Sequence, residues 1–396
     1  MTWENQNLLT LLFPGRKGTS RVQLSHAAAP THATFDDPNL VSHAGLVPAM
    51  RLAGLVGLEE LACHHVRVAA AAGANAGVKV GSLIAGMIAG ADEIDGMDLL
   101  RHGAIPATFS GIRAPSTLGS FLRAFTHGNV RQLAVVHRRV LAELATRTPL
   151  LPGADALAFI DVDSLQKRVF GPGKQGAAFG HTKIAAKSLT VRGLNALAAT
   201  IATPIAAPVI TTTRLRGAAS LVAEAINTSR AARVTGLIVV RADSAFYTGA
   251  FISACRRNGA HFSVTARMTP PFRRAIAGID EGAWIAIKYP NAVYDEDSGD
   301  WISDAEIAEI PYTAFASTPV HRTEDRLIVR RVRERNPAGH DQGELFTAYR
   351  YHAVFTDSPF QLSQAESQHR GHAIIEQVFA DLLDGPLAHL PEVIWS

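Results

Sequence analysis

Cysteine is nearly absent: Cys63 and Cys255 are the only two in 396 residues, and they form no CxxC pair. That excludes a disulfide scaffold and a cysteine-based zinc site, and it fits a reducing cytoplasm. Charge is also sparse, at 18% of residues against 47% hydrophobic ones, so a sizeable core can form and global disorder is excluded. Acid is missing altogether from residues 164–223, and charge of either sign is missing from 193–213. The uncharged stretch approaches membrane-spanning length, but Pro204, Pro208, Asn195 and five threonines interrupt it. Two buried strands joined by a turn at Thr203-Pro204 account for it better, so no membrane partner is expected. A short apolar run at 8–13 has Glu4 before it and Arg16-Lys17 after it, the wrong charge order for a secretory signal. The net charge of +3 permits a nucleic-acid partner, and its distribution matters more than its total.

The length suits about two to three domains. Residues 1–35 show no periodicity and read as a flexible arm, whereas 36–150 read as an all-α module. There, Asp37, Asn39 and Ser42 offer N-caps to the apolar series Leu46, Met50, Ala53 and Leu55. Further helices are expected around Val80 to Ile88, after Pro115, and over 129–146. Several short helices with glycine-containing turns suit a helix-turn-helix-like, DNA-binding module, and equally a plain bundle. Beyond 150 the pattern becomes α/β. Strands are expected at 157–162, 194–201, 207–215, 237–241 and 261–266, with helices at 218–232 and 248–257. Strand-rich sequence follows to 355, then one helix over 363–383. The order strand, strand, strand, helix, strand, helix, strand predicts a ribonuclease-H-like mixed-sheet core at 151–270 and 358–396, with a β-rich insertion at 271–357.

Two of the apolar strands end in acid, at Asp163 and at Asp243. Sites of open α/β sheets are built along that edge. The last helix adds His369, His372 and Glu376 at helical spacings of three and four, opposite the apolar face of Ile375, Phe379 and Leu382. Three carboxylates would suit Mg²⁺, or Mn²⁺, which prefers oxygen ligands and can act in pairs about 3.5–4 Å apart on a phosphodiester. Asp161 competes with Asp163, since residues two apart on a strand share a face. The acid-free stretch carries Lys167, Arg168, Lys174, Lys183, Lys187, Arg214 and Arg216, a composition suited to a phosphate backbone.

The runs Phe159-Ile160-Asp161-Val162-Asp163-Ser164, Gly176-Ala177-Ala178-Phe179-Gly180 and Val240-Arg241-Ala242-Asp243-Ser244-Ala245-Phe246-Tyr247 resemble those of DDE transposases from bacterial insertion sequences. So do 262–268 and 369–377, and the similarity extends over about 36–391, with an actinobacterial-type branch the nearest in character. The resemblance implies Mg²⁺-dependent cleavage at element ends and transfer of the freed 3′-hydroxyl to target DNA. It also implies Asp163, Asp243 and Glu376 as catalytic metal ligands, and double-stranded DNA, both terminal inverted repeats and target, as partner. A homodimer on the bacterial nucleoid is the expected assembly. In the family's Tyr-x2-Arg-x3-Glu-x6-Lys pattern, His369, His372 and Leu383 occupy the Tyr, Arg and Lys slots, so both histidines are expected near DNA. Family members continue into a further apolar helix, so a chain ending at Ser396 is expected to be weak in strand transfer. The alternative is a non-catalytic transposase remnant that binds element ends and represses transposition. A general nuclease is a third reading. A dinucleotide site at the GxGxxG of 171–176 lacks its helix and acid, and a zinc site on the histidines leaves the strand-end aspartates unexplained.

Overall fold

The computed structural model describes residues 39, 41–69, 71–169, 177–184, 187–287, 294–295, 300–301, 305–333 and 349–385. The arm at 1–35, the glycine-rich loop at 171–176 with Lys174, and the stretch 386–396 lie outside the described residues.

From 46 to 147 the regular elements are all helical: α1 (Leu46–Leu55), α2 (Leu58–His65), α3 (Ala76–Ile88), α4 (Ile105–Thr108), α5 (Pro115–Arg123) and α6 (His127–Arg147). A capping box between Thr126 and Asn129 starts α6. Asn129 Nδ2 also donates to Arg67 O at 2.7 Å, tying α6 to the chain just past α2. Leu58, Val80, Leu83, Leu118, Phe121 and Val136 form this module's core. Each large apolar side chain buried there contributes about 1.5–3 kcal/mol.

Next come β1 (Leu157–Arg168), β2 (Ala178–Ile184), β3 (Lys187–Thr203), β4 (Ala206–Arg214), α7 (Ala218–Ala231), β5 (Leu237–Ala242), α8 (Gly249–Arg257) and β6 (His261–Ala266). β3 runs antiparallel to β1 and β4, whereas β1, β5 and β6 are mutually parallel. Five strands therefore stand in the order β4-β3-β1-β5-β6, with β2 paired to the first half of β3. The uncharged stretch is the end of β3 and most of β4, with a turn at Pro204-Ile205. No helix among the described residues is long and apolar enough to cross a membrane.

After β6 follow α9 (Pro270–Ala277), β7 (Ile285–Ile287), β8 (Tyr294–Asp295), β9 (Asp300–Trp301), β10 (Ala305–Ala314), β11 (Thr323–Arg333) and β12 (Tyr349–Thr356). The β-rich segment is not a separate unit. β12 pairs antiparallel with β6 through Ala353↔Ala266 and Phe355↔Val264, and the order continues β12-β11-β10-β7. The result is a mixed sheet of ten strands among the described residues, with helices on it. α10 (Leu362–Arg370) and α11 (Ile374–Asp384) follow, separated by a 3₁₀ turn at Gly371–Ala373. The single helix expected over 363–383 is therefore two.

Alternation along the strands decides which side chains meet. Ala158, Ile160 and Val162 of β1 and Ile238, Val240 and Ala242 of β5 lie under α7 and α8, packed by Leu221, Val222, Ile226, Phe251 and Ile252. The odd-numbered residues face the other way, Asp161 opposite Arg241 in the parallel register. On that side Ile375 and Phe379 of α11 pack on Leu165 of β1 and Ala198 of β3. The helical module is fastened to the sheet at Glu224 of α7, which meets Arg214 of β4 at 3.1 Å and Arg138 of α6 at 3.4 Å.

The β1–β5 register is set where β5 begins. A Cβ on Gly236 would sit 2.5 Å from the carbonyl of Ala156 and 2.6 Å from that of Asp155. Backbone cannot retreat as a side chain can. Gly236→Ala is expected to lower stability by about 1–3 kcal/mol, as overpacking does. A urea midpoint equal to wild type would show that this approach does not hold the register.

Candidate active site

Val162 and Ala242 are the last paired residues of the parallel β1–β5 ladder, and the residues that follow each are Asp163 and Asp243. The strand expected over 157–162 runs on to Arg168 through its pairing with β3, so Asp163 stands within β1 rather than at its end. The two carboxylates come together because the parallel ladder between β1 and β5 stops just before them. Asp243 N-caps a short 3₁₀ turn, accepting the Ala245 N–H at 2.9 Å. Asp163 accepts the Ser164 N–H at 2.6 Å. α11 delivers the third acid: with Ile375 buried against β1 and β3, the next residue, Glu376, is exposed and close enough to act on Asp163.

The electrostatics register this convergence. Burial pushes the Asp163 carboxyl above its usual range; the Ser164 N–H opposes this, the Asp243 carboxylate adds to it, His372 opposes it, and Glu376 adds to it. Like charges beside a carboxyl raised in this way favour a bound cation or proton. Among the described residues no three His, Cys, Asp or Glu side chains are spaced to hold a metal ion as they stand.

Asp161 is placed differently from its neighbour two residues on. It is fully buried, and Arg241 donates to it through Nε and Nη2, both at 2.7 Å. His372 Nδ1 lies 3.0 Å from Asp161 Oδ1. The Arg241 guanidinium also lies 4.2 Å over the Phe159 ring, and its Nη1 donates to the Gln368 carbonyl of α10 at 2.5 Å. Both carboxylate oxygens of Asp161 are thus engaged within the protein. Asp163 is the acid of β1 left beside Asp243, where the β1–β5 ladder ends.

His369, expected near DNA, is buried, with Nδ1 2.9 Å from Ser263 Oγ and Nε2 3.0 Å from Thr265 Oγ1. Neither ring nitrogen is left for a phosphate. Burial, aided by His372 and Arg241, lowers its pKa from 6.5 to about 3. A histidine that stays neutral when folded but protonates when unfolded gives stability present above the unfolded value. That stability is lost as pH falls below 6.5 toward 3. His369→Gln should therefore flatten the acid limb of the stability curve between pH 6.5 and 4; a limb as steep as wild type's would show that other groups govern it.

The basic residues divide. Lys167 and Arg168 end β1, Lys183 and Lys187 lie on the β2–β3 hairpin, and Arg216 is exposed between β4 and α7. Arg214 is half-buried and ion-paired to Glu224. Sequence reasoning missed Arg241 altogether. Its signal was present: it stands two residues before Asp243 as Asp161 stands two before Asp163, so any parallel pairing that aligns the acids also aligns this opposite-charge pair.

The site is thus an acid cluster where the parallel pairing of β1 with β5 ends in a mixed α/β protein, beside a helix that carries a third acid. No protein-family model matches this sequence, and no curated protein matches it either.

Proposed function

We propose that this protein is a DDE transposase: a metal-dependent polynucleotidyl transferase that cuts DNA at insertion-sequence ends and joins them to a target. The observation that carries the reading is the convergence of Asp163 with Asp243 and Glu376, felt by the Asp163 carboxyl itself. The strand order β4-β3-β1-β5-β6, antiparallel then parallel, supports a ribonuclease-H-like core, with acids on its first and fourth strands in chain order once the extra strand β2 is set aside. The β-rich segment between β6 and α10 supports an insertion ahead of the last catalytic helix.

Oxygen-only donors that repel one another fit a hard divalent cation such as Mg²⁺ or Mn²⁺, held by Asp163, Asp243 and Glu376. Such a cation would supply an activated water or 3′-hydroxyl and stabilise the leaving oxygen. The chain's own residues do the rest. Asp243 is oriented by the Ala245 N–H, Asp163 by the Ser164 N–H, and Glu376 by the packing of Ile375 and Phe379. Lys167, Arg168 and Arg216, with Lys183 and Lys187 of the β2–β3 hairpin, would contact the phosphate backbone.

The test is nicking of a duplex that carries the inverted repeats flanking the gene, with Mg²⁺ or Mn²⁺ and with EDTA. Metal-dependent nicking at the repeat ends supports the reading. Binding without nicking marks a DNA-binding repressor, and nicking without need of the repeats marks a general nuclease. Phosphate contacts are checked by salt: Lys183→Ala and Arg216→Ala should each reduce the log–log salt slope of binding by about 0.9. An unchanged slope would make that edge merely solvated.

A further inference from the structure

The acid cluster needs its third member held in place, and among the described residues α11 has little to hold it. Its cluster of buried residues comprises Ile375, Phe379 and Ala198, with Leu165 and Leu382 packed against them. At the other end of the same helix the structure is dense. Arg241 Nη1 donates to the Gln368 carbonyl at the close of α10, and His372, in the turn that leads into α11, meets Asp161. A Cβ on Gly371 would lie 2.7 Å from Arg241 Nη1, so the absence of a side chain there admits the guanidinium. The helix breaks at 371–373, next to where the guanidinium takes the Gln368 carbonyl.

Resting on the transposase reading, we propose that Asp161, Arg241 and His372 are positioning residues: a buried clamp that fixes the α10–α11 turn and thereby sets Glu376 against Asp163 and Asp243. Two strands, the end of α10 and the turn are tied by four contacts of 2.5–3.0 Å: two between Arg241 on β5 and Asp161 on β1, one from Arg241 to the Gln368 carbonyl of α10, and one between Asp161 and His372 in the turn. Each strand residue stands two positions before a cluster acid, on the same face of its strand. Any shift of the turn relative to the strands is therefore a shift of Glu376 relative to the two aspartates. Such bidentate, desolvated contacts are geometrically strict, because a guanidinium fork fits a carboxylate in few orientations. Displacing a reacting group by about 1 Å can cost on the order of a hundredfold in rate. Loss of partners that orient metal ligands typically weakens metal affinity about 10–100-fold.

The experiment separates positioning from stability. In the full chain, Asp161→Leu combined with Arg241→Met removes both charges together, a replacement that buried ion pairs often tolerate without loss of fold. Gly371→Ala leaves every charge and crowds the guanidinium alone, so it serves if the double variant does not fold. Amide hydrogen exchange is read over 371–384 and over β1 and β5. The expected result is exchange at least about tenfold faster across 371–384, with the strands unchanged. In nicking assays the Mn²⁺ needed for half-maximal rate should rise about 10–100-fold while the half-saturating DNA concentration stays put. Wild-type exchange over 371–384 in a folded variant overturns the clamp, and so does a uniform rise over the whole chain, which would mark a merely stabilising role. If wild type never nicks DNA the transposase reading fails, and the exchange result still decides the clamp.

Discussion

Nicking is expected to fall about a thousandfold or more when Asp163, Asp243 or Glu376 is replaced by its amide. A metal-ion site supplies several kcal/mol of transition-state stabilisation, and each 1.36 kcal/mol is tenfold in rate. An amide keeps the shape of the side chain but lacks the charge that a divalent cation requires. Repeat binding should persist, because the proposed phosphate contacts come from other residues. Stability should move in the opposite direction at Asp163. Its carboxyl is raised above 3.8 by burial and by Asp243 and Glu376, so ionising it costs the folded state. A group raised in this sense loses stability as pH rises through its folded value, and an amide cannot ionise. Asp163→Asn should therefore raise the thermal midpoint of the metal-free protein at pH 7. Full nicking by the asparagine variant, or a lower midpoint, would remove Asp163 from the site.

The largest loss of stability is expected from Arg241→Met alone. Arg241 is almost wholly buried and Asp161 fully so, and the guanidinium supplies the carboxylate with two hydrogen bonds at 2.7 Å. Removing the cation leaves a buried carboxylate with His372 as its remaining polar side-chain contact among the described residues. Breaking a buried pair in this way typically costs about 3–5 kcal/mol. The Asp161→Leu, Arg241→Met double variant should recover most of that loss, since no charge is stranded. Urea unfolding of the single and double variants measures both numbers. A single variant as stable as wild type would mean that water or a rotated side chain satisfies Asp161. A double variant no better than the single would mean that the cost lies in the lost Gln368 carbonyl bond.

Much of the site could be read from residues in order. Phe159-Ile160-Asp161-Val162-Asp163 and Val239-Val240-Arg241-Ala242-Asp243 each show an apolar run giving way to acid, a local signal that marks where burial under the helices stops, although β1 itself continues to Arg168 by pairing with β3. Glu376 stood on a helix whose apolar spacing was plain. His369 misled, because its spacing of three to His372 and seven to Glu376 puts all three on one face of an unbroken helix. The 3₁₀ turn at Gly371–Ala373 interrupts that helix, and His369 sits buried against Ser263 and Thr265 instead. The strand β2 was missed because 178–184 mixes glycine, lysine and apolar residues without alternation, and it is a strand through its pairing with β3.

By itself, then, the sequence determined where the chain alternates between strand and helix, and that an acid follows each apolar run of β1 and β5, although β1 runs on past Asp163 to Arg168. Apolar period and capping act within a few residues and need no partner. The tertiary structure alone decided that Asp161 meets Arg241 and that Asp163 remains for the cluster. It decided, too, that the β-rich segment extends the core sheet and that the last helix breaks over a guanidinium. Those outcomes depend on the register between β1 and β5, residues 157 and 237 being the first pair. One position of slip turns every side chain of a strand to the opposite face. Register is a property of two distant segments packed together, and neither carries it alone.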